Sequence, residues 1–291
     1  MRITAHLGVL DEVELIASAI DHLYKIGVDH VIVFDMGSKD GTLEIAEGYQ
    51  GPDFELVRLC NDTSWDELRK KTVESVRRAT ADWVLFLDAD EFWLPATGSI
   101  RDCIALVEHD IVTVDRFNVV LTDSGLAMPR ELGPEAYPRT FLYTRLIDNF
   151  RKYLAANPDT PWISGVPVSK VIGRTGFLES ITMGRHDIVT ADGRPVRRTT
   201  ATDVVIAHVP FSSFSRFERR VANIADFFEL NGDYLQGAQG WHWRRLYELS
   251  QQGRIAEEYL RQVISQPRLD ELIASGSVHT AAQLLGSGQE T

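Results

Sequence analysis

The densest chemistry in the chain is Asp88-Ala89-Asp90-Glu91, which follows directly on the apolar run Trp83-Val84-Leu85-Phe86-Leu87. Carboxylates are costly to bury, so such a cluster at a strand end calls for a cation or for solvent. In the turn after a strand the acid side chains can converge. Oxygen ligands suit Mg²⁺ or Mn²⁺, usually completed by substrate phosphates and water. The plain alternative is a solvated acidic turn. A second group, Asp35-Met36-Gly37-Ser38-Lys39-Asp40-Gly41-Thr42, follows the run His30-Val31-Ile32-Val33-Phe34. Gly37 and Gly41 permit tight turns and close backbone approach. Asp35 can accept hydrogen bonds from a base or ribose, whereas Asp40 is expected to cap the helix that follows.

These groups must be positioned by alternating strands and helices. Ile3 to Leu7 reads as a short strand, and Val13, Leu15, Ile16, Ala19, Ile20, Leu23 and Ile26 recur at helical spacing before the stop at Gly27. His30 to Asp35 is a β-branched strand, Leu43 to Tyr49 a helix, and Glu55 to Leu59 a third strand. A helix from Asp66 to Ala81 carries Glu67 with Lys71 and Glu74 with Arg78 at i, i+4. Trp83 to Asp88 is the fourth strand. Alternation of this kind implies a parallel sheet covered on both faces, with ligands bound beyond the carboxyl ends of its strands, where Asp35 and Asp88 stand.

From Ile100 the rhythm changes. Strand-like pieces appear at Ile111 to Val114, Phe117 to Leu121, Phe141 to Leu146 and Val204 to His208, as a mixed β extension. From Phe214 the pattern is helical, with Phe217, Val221, Ile224, Ala225 and Phe228 on one face, and a further helix is expected from Trp241 to Ile264. The small, polar tail after Ser275 is expected to fray.

The 291 residues carry a net charge of −12, which disfavours nucleic acid as a partner but leaves room for a phosphate-bearing small ligand at a local site. Cys60 and Cys103 show no metal or disulfide spacing and read as thiols of a reducing compartment. The first residues turn acidic before an apolar run develops, so no secretory signal is expected, and no apolar run has the length of a membrane helix.

Three chemistries place acids after an apolar strand. A P-loop NTPase also needs G-x-x-x-x-G-K-[ST], and no such segment exists. An aspartyl phosphatase carries its acids on the first strand, whereas here they follow the fourth, with Phe92 after Glu91. A DxD glycosyltransferase accounts for the rest of the N-terminal half. His30 to Thr42 resembles the "strand-D-x-G/S-x-D-G-T" segment of family 2 glycosyltransferases, and Asp11-Glu12 resembles their Asn-Glu. Leu23 to Val33 and Ala81 to Trp93 resemble the "lGvDhi" and "dWvlflDaDEF" segments of a family-2-like subgroup. Gly184 to Asp187 and Ile206 to Pro210 resemble its "G-x-H" and "i-x-H-x-P" segments; Met36 departs from the second acid of many relatives.

The resemblance implies an α/β chain of GT-A fold: a Rossmann-like nucleotide-binding sheet, a mixed β extension and a helical C-terminal appendage. It divides the chain into a catalytic domain, 1–211, with a nucleotide-binding half (1–95) and an acceptor half (96–211), and an extension, 212–291. It implies metal-dependent transfer from a nucleoside-diphosphate sugar, UDP-sugar by default, to a hydroxyl acceptor with inversion. Leu7, Glu12, Asp35, Arg69, Asp88 and Ala89 would contact the donor. Asp90 and Asp88 would hold Mn²⁺ or Mg²⁺ with His208 as a further ligand, and His186 is a weaker candidate. Asp187, then Glu179, would serve as catalytic base. Trp65, Trp93 and Trp162 have faces suited to a sugar or base, although packing is the expected role of each. The acceptor would be a glycan, a lipid-linked glycan or a small molecule, with Arg130 to Pro167 shaping its site. Location would be cytoplasmic, with peripheral contact to the inner membrane face also compatible. The alternatives are a non-catalytic nucleotide-sugar-binding protein of the same fold and a phosphatase-like hydrolase using Asp88.

Overall fold

The computed structural model describes residues 1–60, 63–191, 193–231 and 240–286, with the side chains of 227–231 excepted. The first half builds the expected alternation. Strands β1 (Ile3–Val9), β2 (His30–Asp35), β3 (Phe54–Arg58) and β4 (Trp83–Asp88) are joined through helices α1 (Ile16–Lys25), α2 (Thr42–Glu47) and α3 (Trp65–Arg78). Odd-numbered residues of β1 and β4 (Ile3, Ala5, Leu7; Trp83, Leu85, Leu87) pack with Ile16, Ala19, Ile20 and Leu23 of α1. Even-numbered Val84 and Phe86 pack with Leu68, Val73 and Val76 of α3. Both faces are covered, which is why these strands read as unbroken apolar runs.

β2 and β3 lie to one side of β1 and β4 to the other, all parallel. The chain therefore reverses its winding at β1, and a ligand crevice is expected at the carboxyl ends of β1 and β4. Beyond β4 come β5 (Glu91–Pro95), the short α4 (Ala105–Glu108), β6 (Ile111–Val114), β7 (Arg116–Asn118) and the hairpin β8 (Leu121–Thr122) with β9 (Gly125–Leu126). There follow β10 (Phe141–Tyr143), α5 (Phe150–Ala156), β11 (Lys170–Arg174), β12 (Ser180–Ile181), β13 (Ile188–Val189), β14 (Arg198–Thr200) and β15 (Val204–His208). The main sheet runs β14-β6-β11-β4-β1-β2-β3, with β11 antiparallel to both neighbours. A separate sheet, β5-β15-β7, stands over the crevice.

Helix α6 (Phe214–Asn231) turns Phe217, Val221 and Ile224 into a core shared with Val120, Tyr143 and Ile163. Ala225 lies outside that core, and the side chain of Phe228, expected on the same face, lies outside the described residues. The single helix expected from Trp241 to Ile264 is two, α7 (Trp241–Gln251) and α8 (Ile255–Gln262). Gly253, at φ 67°, takes a left-handed turn between them that most residues avoid. After β16 (Val263–Ile264) and α9 (Gln266–Ala274), the described part of the tail, through Gly286, forms elements where fraying was expected. β17 (Val278–Thr280) pairs with β10, and α10 (Ala281–Gly286) buries Ala281 and Leu285, because those apolar residues fill the space beside Leu142 and Tyr137. No described helix is long and apolar enough to cross a membrane.

Two buried histidines make the fold acid-sensitive. His6 lies between the rings of Phe34 and Phe86, and His22 Nε2 donates to the Trp93 carbonyl at 2.7 Å. Burial, chiefly, lowers their pKa values to about 3 and about 4. Unfolded, both titrate near 6.5, so below that pH the unfolded chain binds more protons and stability falls. Between pH 6.5 and about 4.5, the pair is expected to withdraw roughly 4 kcal/mol, the slope approaching about 1.4 kcal/mol per unit and group. Urea unfolding at the two pH values measures this; a change below about 1 kcal/mol would contradict it.

Candidate active site

Three strand ends deliver the acids. Asp88 is in register with Gly8 and Asp35 with Val9. These are successive rows of the sheet, so the pleat sends the two carboxylates to opposite faces. Asp35 is buried and accepts from the backbone N–H groups of Gly37 (3.1 Å) and Ser38 (3.2 Å), while its Oδ1 has no partner. Gly41, not Asp40 as expected, is the cap residue of α2; Asp40, one position earlier, accepts from Thr42 N (3.0 Å) at the helix start and from Val13 N (3.1 Å). Asp11, in the left-handed region at φ 55°, accepts from Lys39 N and from Asn223 Nδ2 (2.9 Å), tying the first loop to α6.

The second sheet explains how a histidine far along the chain reaches the acidic turn. The last residue of β15, His208, is in register with Glu91 of β5 on one side and Asn118 of β7 on the other, so all three share a face. Asp90, Glu91 and His208 are all buried, and one ligand atom of each lies within 4.8 Å of the other two. The tautomer of His208 follows from its neighbour. Asn118 Nδ2 donates to the carbonyls of Ile163 and Gly165, both at 2.7 Å, so its Oδ1 is the atom facing His208 Nδ1 at 2.6 Å. Nδ1 therefore carries the proton, and Nε2 turns a lone pair toward Asp90 Oδ2 at 3.5 Å. Burial, with Arg116 adding, holds His208 below its usual range despite Asp90, so the imidazole is neutral at pH 7. Two acceptors thus face each other, and a cation between them satisfies both. Oxygen and imidazole donors fit Mn²⁺ or Mg²⁺, Mn²⁺ being the more tolerant of nitrogen.

The acids are also matched by cations. Arg216, 1% exposed, holds Glu12 through Nε (2.6 Å) and Nη2 (2.9 Å), reaches Asp90 at 3.1 Å and donates to the Val209 carbonyl. Arg220 reaches Asp90 at 2.6 Å. Glu91 pairs with Arg116 and, at 3.3 Å, with the wholly buried Lys170, which also bonds Asp88 at 3.0 Å. Arg185 closes the set on Asp88. Burial would raise the carboxyls of Asp88 and Asp90, but Lys170 and Arg185 for the first, and Arg220 and Arg216 for the second, hold both far below the ordinary range. Burial dominates at Glu12 and raises it. Five cations thus meet the four carboxylates of Glu12, Asp88, Asp90 and Glu91, a local positive surplus inside a protein of net charge −12.

Of the residues singled out in the sequence, Glu12, Asp88, Asp90 and His208 are brought together, and Glu91 joins them. Asp88 lies outside the three-residue group that can hold a cation, and Lys170 and Arg185 take its two oxygens. Leu7 and Ala89 are buried in the core below the site. Arg69 pairs with Asp66 and lines a groove with Glu179, whose neighbour is Arg77 at 3.7 Å. Asp187 is gripped by Arg198 at 2.9 and 3.1 Å. No hydrogen bond or ion pair joins Arg69, Glu179 or Asp187 to the acid cluster among the described residues. His186 bonds the Ser169 carbonyl at 3.1 Å, Trp93 is buried in the core, Trp65 packs against α3's core, and Trp162 stacks on His242 with ring centres 5.5 Å apart.

Arg216, Arg220, Lys170, Arg185, Arg116 and Asn118 were not singled out. The first two had a signal: with Asn223 they stand at i, i+4, i+7 on α6, a polar stripe beside the apolar stripe Phe217, Val221, Ile224. Lys170 had none, and Arg185 stood inside the Gly184 to Asp187 segment without a role assigned to it. Gly8 is the backbone requirement for Arg185, since a Cβ there would lie 1.9 Å from its Nη1. Gly8→Ala is expected to push Arg185 off Asp88 and to cost about 1–3 kcal/mol by overpacking. Thermal unfolding checks this; an unchanged midpoint would mean that Arg185 moves aside freely.

A mixed sheet, parallel from β4 through β3 with its winding reversed at β1, acids at the carboxyl ends and a second sheet beside them define a GT-A glycosyltransferase fold. Residues 9–159 match the profile described as glycosyl transferase family 2, and the chain belongs to that family and is a glycosyltransferase. No curated protein matches it. Solved structures similar to it include residues 1–349 of S. aureus TarS, 16% identical, with a TM-score of 0.40 over 94% of this chain and 83% of that one. Another is glucosyl-3-phosphoglycerate synthase from Mycobacterium tuberculosis in complex with Mn²⁺, uridine diphosphate and phosphoglyceric acid. It is 19% identical, with a TM-score of 0.36 over 81% of this chain and 80% of that one.

Proposed function

We propose that this glycosyltransferase moves a sugar from a nucleoside-diphosphate donor, UDP-sugar by preference, to a hydroxyl acceptor with inversion, and that it requires Mn²⁺ or Mg²⁺. The observation that carries this is the buried Asp90–Glu91–His208 group with its surplus of cations, set at the crevice where the winding of the sheet reverses. Such a site attracts a diphosphate, although the protein as a whole repels one. A divalent cation on Asp90 and His208, with Glu91 beside them, would supply Lewis-acid neutralisation of the departing diphosphate.

The chain's own groups do the rest. Asp35 offers its unpartnered Oδ1 to an N–H of the base or to a ribose hydroxyl. Lys170 and Arg185 fix Asp88 at the end of β4, and Glu91 accepts from Asp88 N at 3.0 Å, which shapes the acidic turn. Arg220, its side chain 33% exposed, is the guanidinium free to pass from Asp90 to a donor phosphate, while buried Arg216 keeps Glu12 and Asp90 in place. A phosphatase-like use of Asp88 as nucleophile is disfavoured by its two ion pairs. For the base we put Asp187 before Glu179, because it stands two residues after Arg185, in the turn whose Gly184 and Arg185 contact Lys170 and Asp88. Asp187→Asn is expected to slow turnover by about 10²–10⁴-fold with donor affinity retained. Equal rates in the variant, measured as nucleotide release, would remove Asp187 from this role.

The test of the reading as a whole is calorimetric titration with UDP and with GDP, each with and without Mn²⁺. UDP is expected to bind, and more tightly with Mn²⁺. Failure of a well-folded sample to bind either nucleotide with metal present would overturn the donor-site reading.

A further inference from the structure

A second concave site lies outside the acidic turn, between α5 and the C-terminal helices. It is a groove of about 400 Å³, within the range of small-ligand sites. Trp241, Arg244, Arg245, Glu248 and Leu249 line it at i, i+3, i+4, i+7 and i+8 of α7, facing Arg151, Leu154 and Ala155 of α5, with Arg254 and Arg261 at its α8 side. Five arginines and a single acid therefore line a groove in a chain where acids outnumber Lys and Arg by 42 to 30. The cations are all arginine, whose planar fork matches phosphate and carboxylate oxygens in pairs.

The groove is a built feature. Glu258, 1% exposed, lies beneath it and accepts from Arg245 Nη1 (2.6 Å) and Nη2 (2.7 Å), from Arg261 and from Gln262 Nε2 (2.9 Å). One buried carboxylate thus orients two guanidiniums without neutralising both. Arg151 is exposed and has no side-chain partner among the described residues. The same network reaches the acid cluster. Gln262 Oε1 accepts from Ile163 N at 2.9 Å, the Ile163 carbonyl accepts from Asn118, and Asn118 sets the tautomer of His208. On α7, His242 precedes the arginines, stacks on Trp162 and feels the positive charge of Arg220 and Arg116. Trp162 stacks on His242, and the adjacent residue, Trp241, lines the groove and offers it an aromatic face suited to a sugar.

We propose that this groove is an acceptor subsite for an oxyanion, so that the sugar is transferred to a molecule carrying a phosphate or carboxylate group. The role for the acceptor rests on the transferase reading; the anion site itself does not. The test titrates the wild type with inorganic tripolyphosphate, with an oligogalacturonate and with a neutral malto-oligosaccharide, by calorimetry at low and high salt. The same titrations follow on R151E/R254E, which changes two exposed arginines, and UDP with Mn²⁺ is titrated into both proteins. One anionic probe is expected to bind the wild type in a salt-sensitive manner, at least tenfold more tightly than the neutral oligosaccharide, and to lose at least tenfold in the variant. UDP binding is expected to agree within about twofold between the two proteins. Which probe binds tells phosphate from carboxylate. Anion binding that survives the charge reversal lies at the donor site and overturns the proposal, as does equal affinity for the neutral oligosaccharide. If neither protein binds UDP, while the wild type binds the anion and the variant does not, the anion site stands and its role in the acceptor is overturned.

Discussion

Replacing Asp90 by asparagine is expected to lower nucleotide-sugar turnover by about 10³-fold, the scale on which removal of a preorganised charge acts at a transition state. Size and most hydrogen-bonding capacity are kept, so the loss is electrostatic. Asp90 is the one acid that touches both Arg216 and Arg220 of α6 and faces the bare nitrogen of His208. Without its charge, His208 and Glu91 remain as neutral and anionic donors, and Glu91 is already committed to Arg116 and Lys170. Mn²⁺ should therefore no longer strengthen UDP binding, while metal-free UDP binding persists or improves, because Arg216 and Arg220 are released toward phosphate. A full Mn²⁺ effect in Asp90→Asn would place the cation elsewhere.

Arg216→Met carries the largest expected loss of stability, about 3–5 kcal/mol, the cost of stranding a buried charge by removing its partner. Arg216 makes bonds to Glu12, Asp90 and the Val209 carbonyl from a side chain 1% exposed. Arg220 still covers Asp90 in the variant, so Glu12 is the group left bare. Its carboxyl is already raised by burial, and it would take up a proton sooner than stay charged. The melting temperature should fall by about 10 °C for a domain of this size. Glu12→Gln with Arg216→Met should recover part of the loss, since the bare charge is gone. A single variant within about 1 kcal/mol of the wild type would show that water reaches Glu12 and that the pair contributes little.

The first half of the fold was legible because its signals are local. Trp83 to Asp88 and His30 to Asp35 read as buried strands from their own composition, and both are strands at the residues expected. Helix α3 begins at Trp65, one residue before the expected start, behind the cap Ser64. Farther on, the same reading merged α7 with α8, because Gly253 breaks a periodic pattern without interrupting its apolar spacing. It left the tail unstructured because Val278 finds its partner at Tyr143 and Leu285 at Leu142 and Tyr137, which no neighbouring residue announces.

The site divides along the same line. Asp88, Asp90 and Glu91 announced themselves by following an apolar strand, and His208 by ending another. What only the tertiary structure decided is which of them share a point in space, and what opposes their charge. Glu91 and His208 meet through the register of β5 with β15. Arg216 meets Glu12 across 204 positions of sequence, and Lys170 and Arg185 meet Asp88 across 82 and 97. The sequence by itself determined the strands, the helices and the acids at the carboxyl ends, because backbone periodicity is set by residues a few positions apart. The cations that hold those acids, the tautomer of His208 and the arginine groove depend on chain segments brought together by packing, where burial makes each charge seek a partner wherever the fold supplies one.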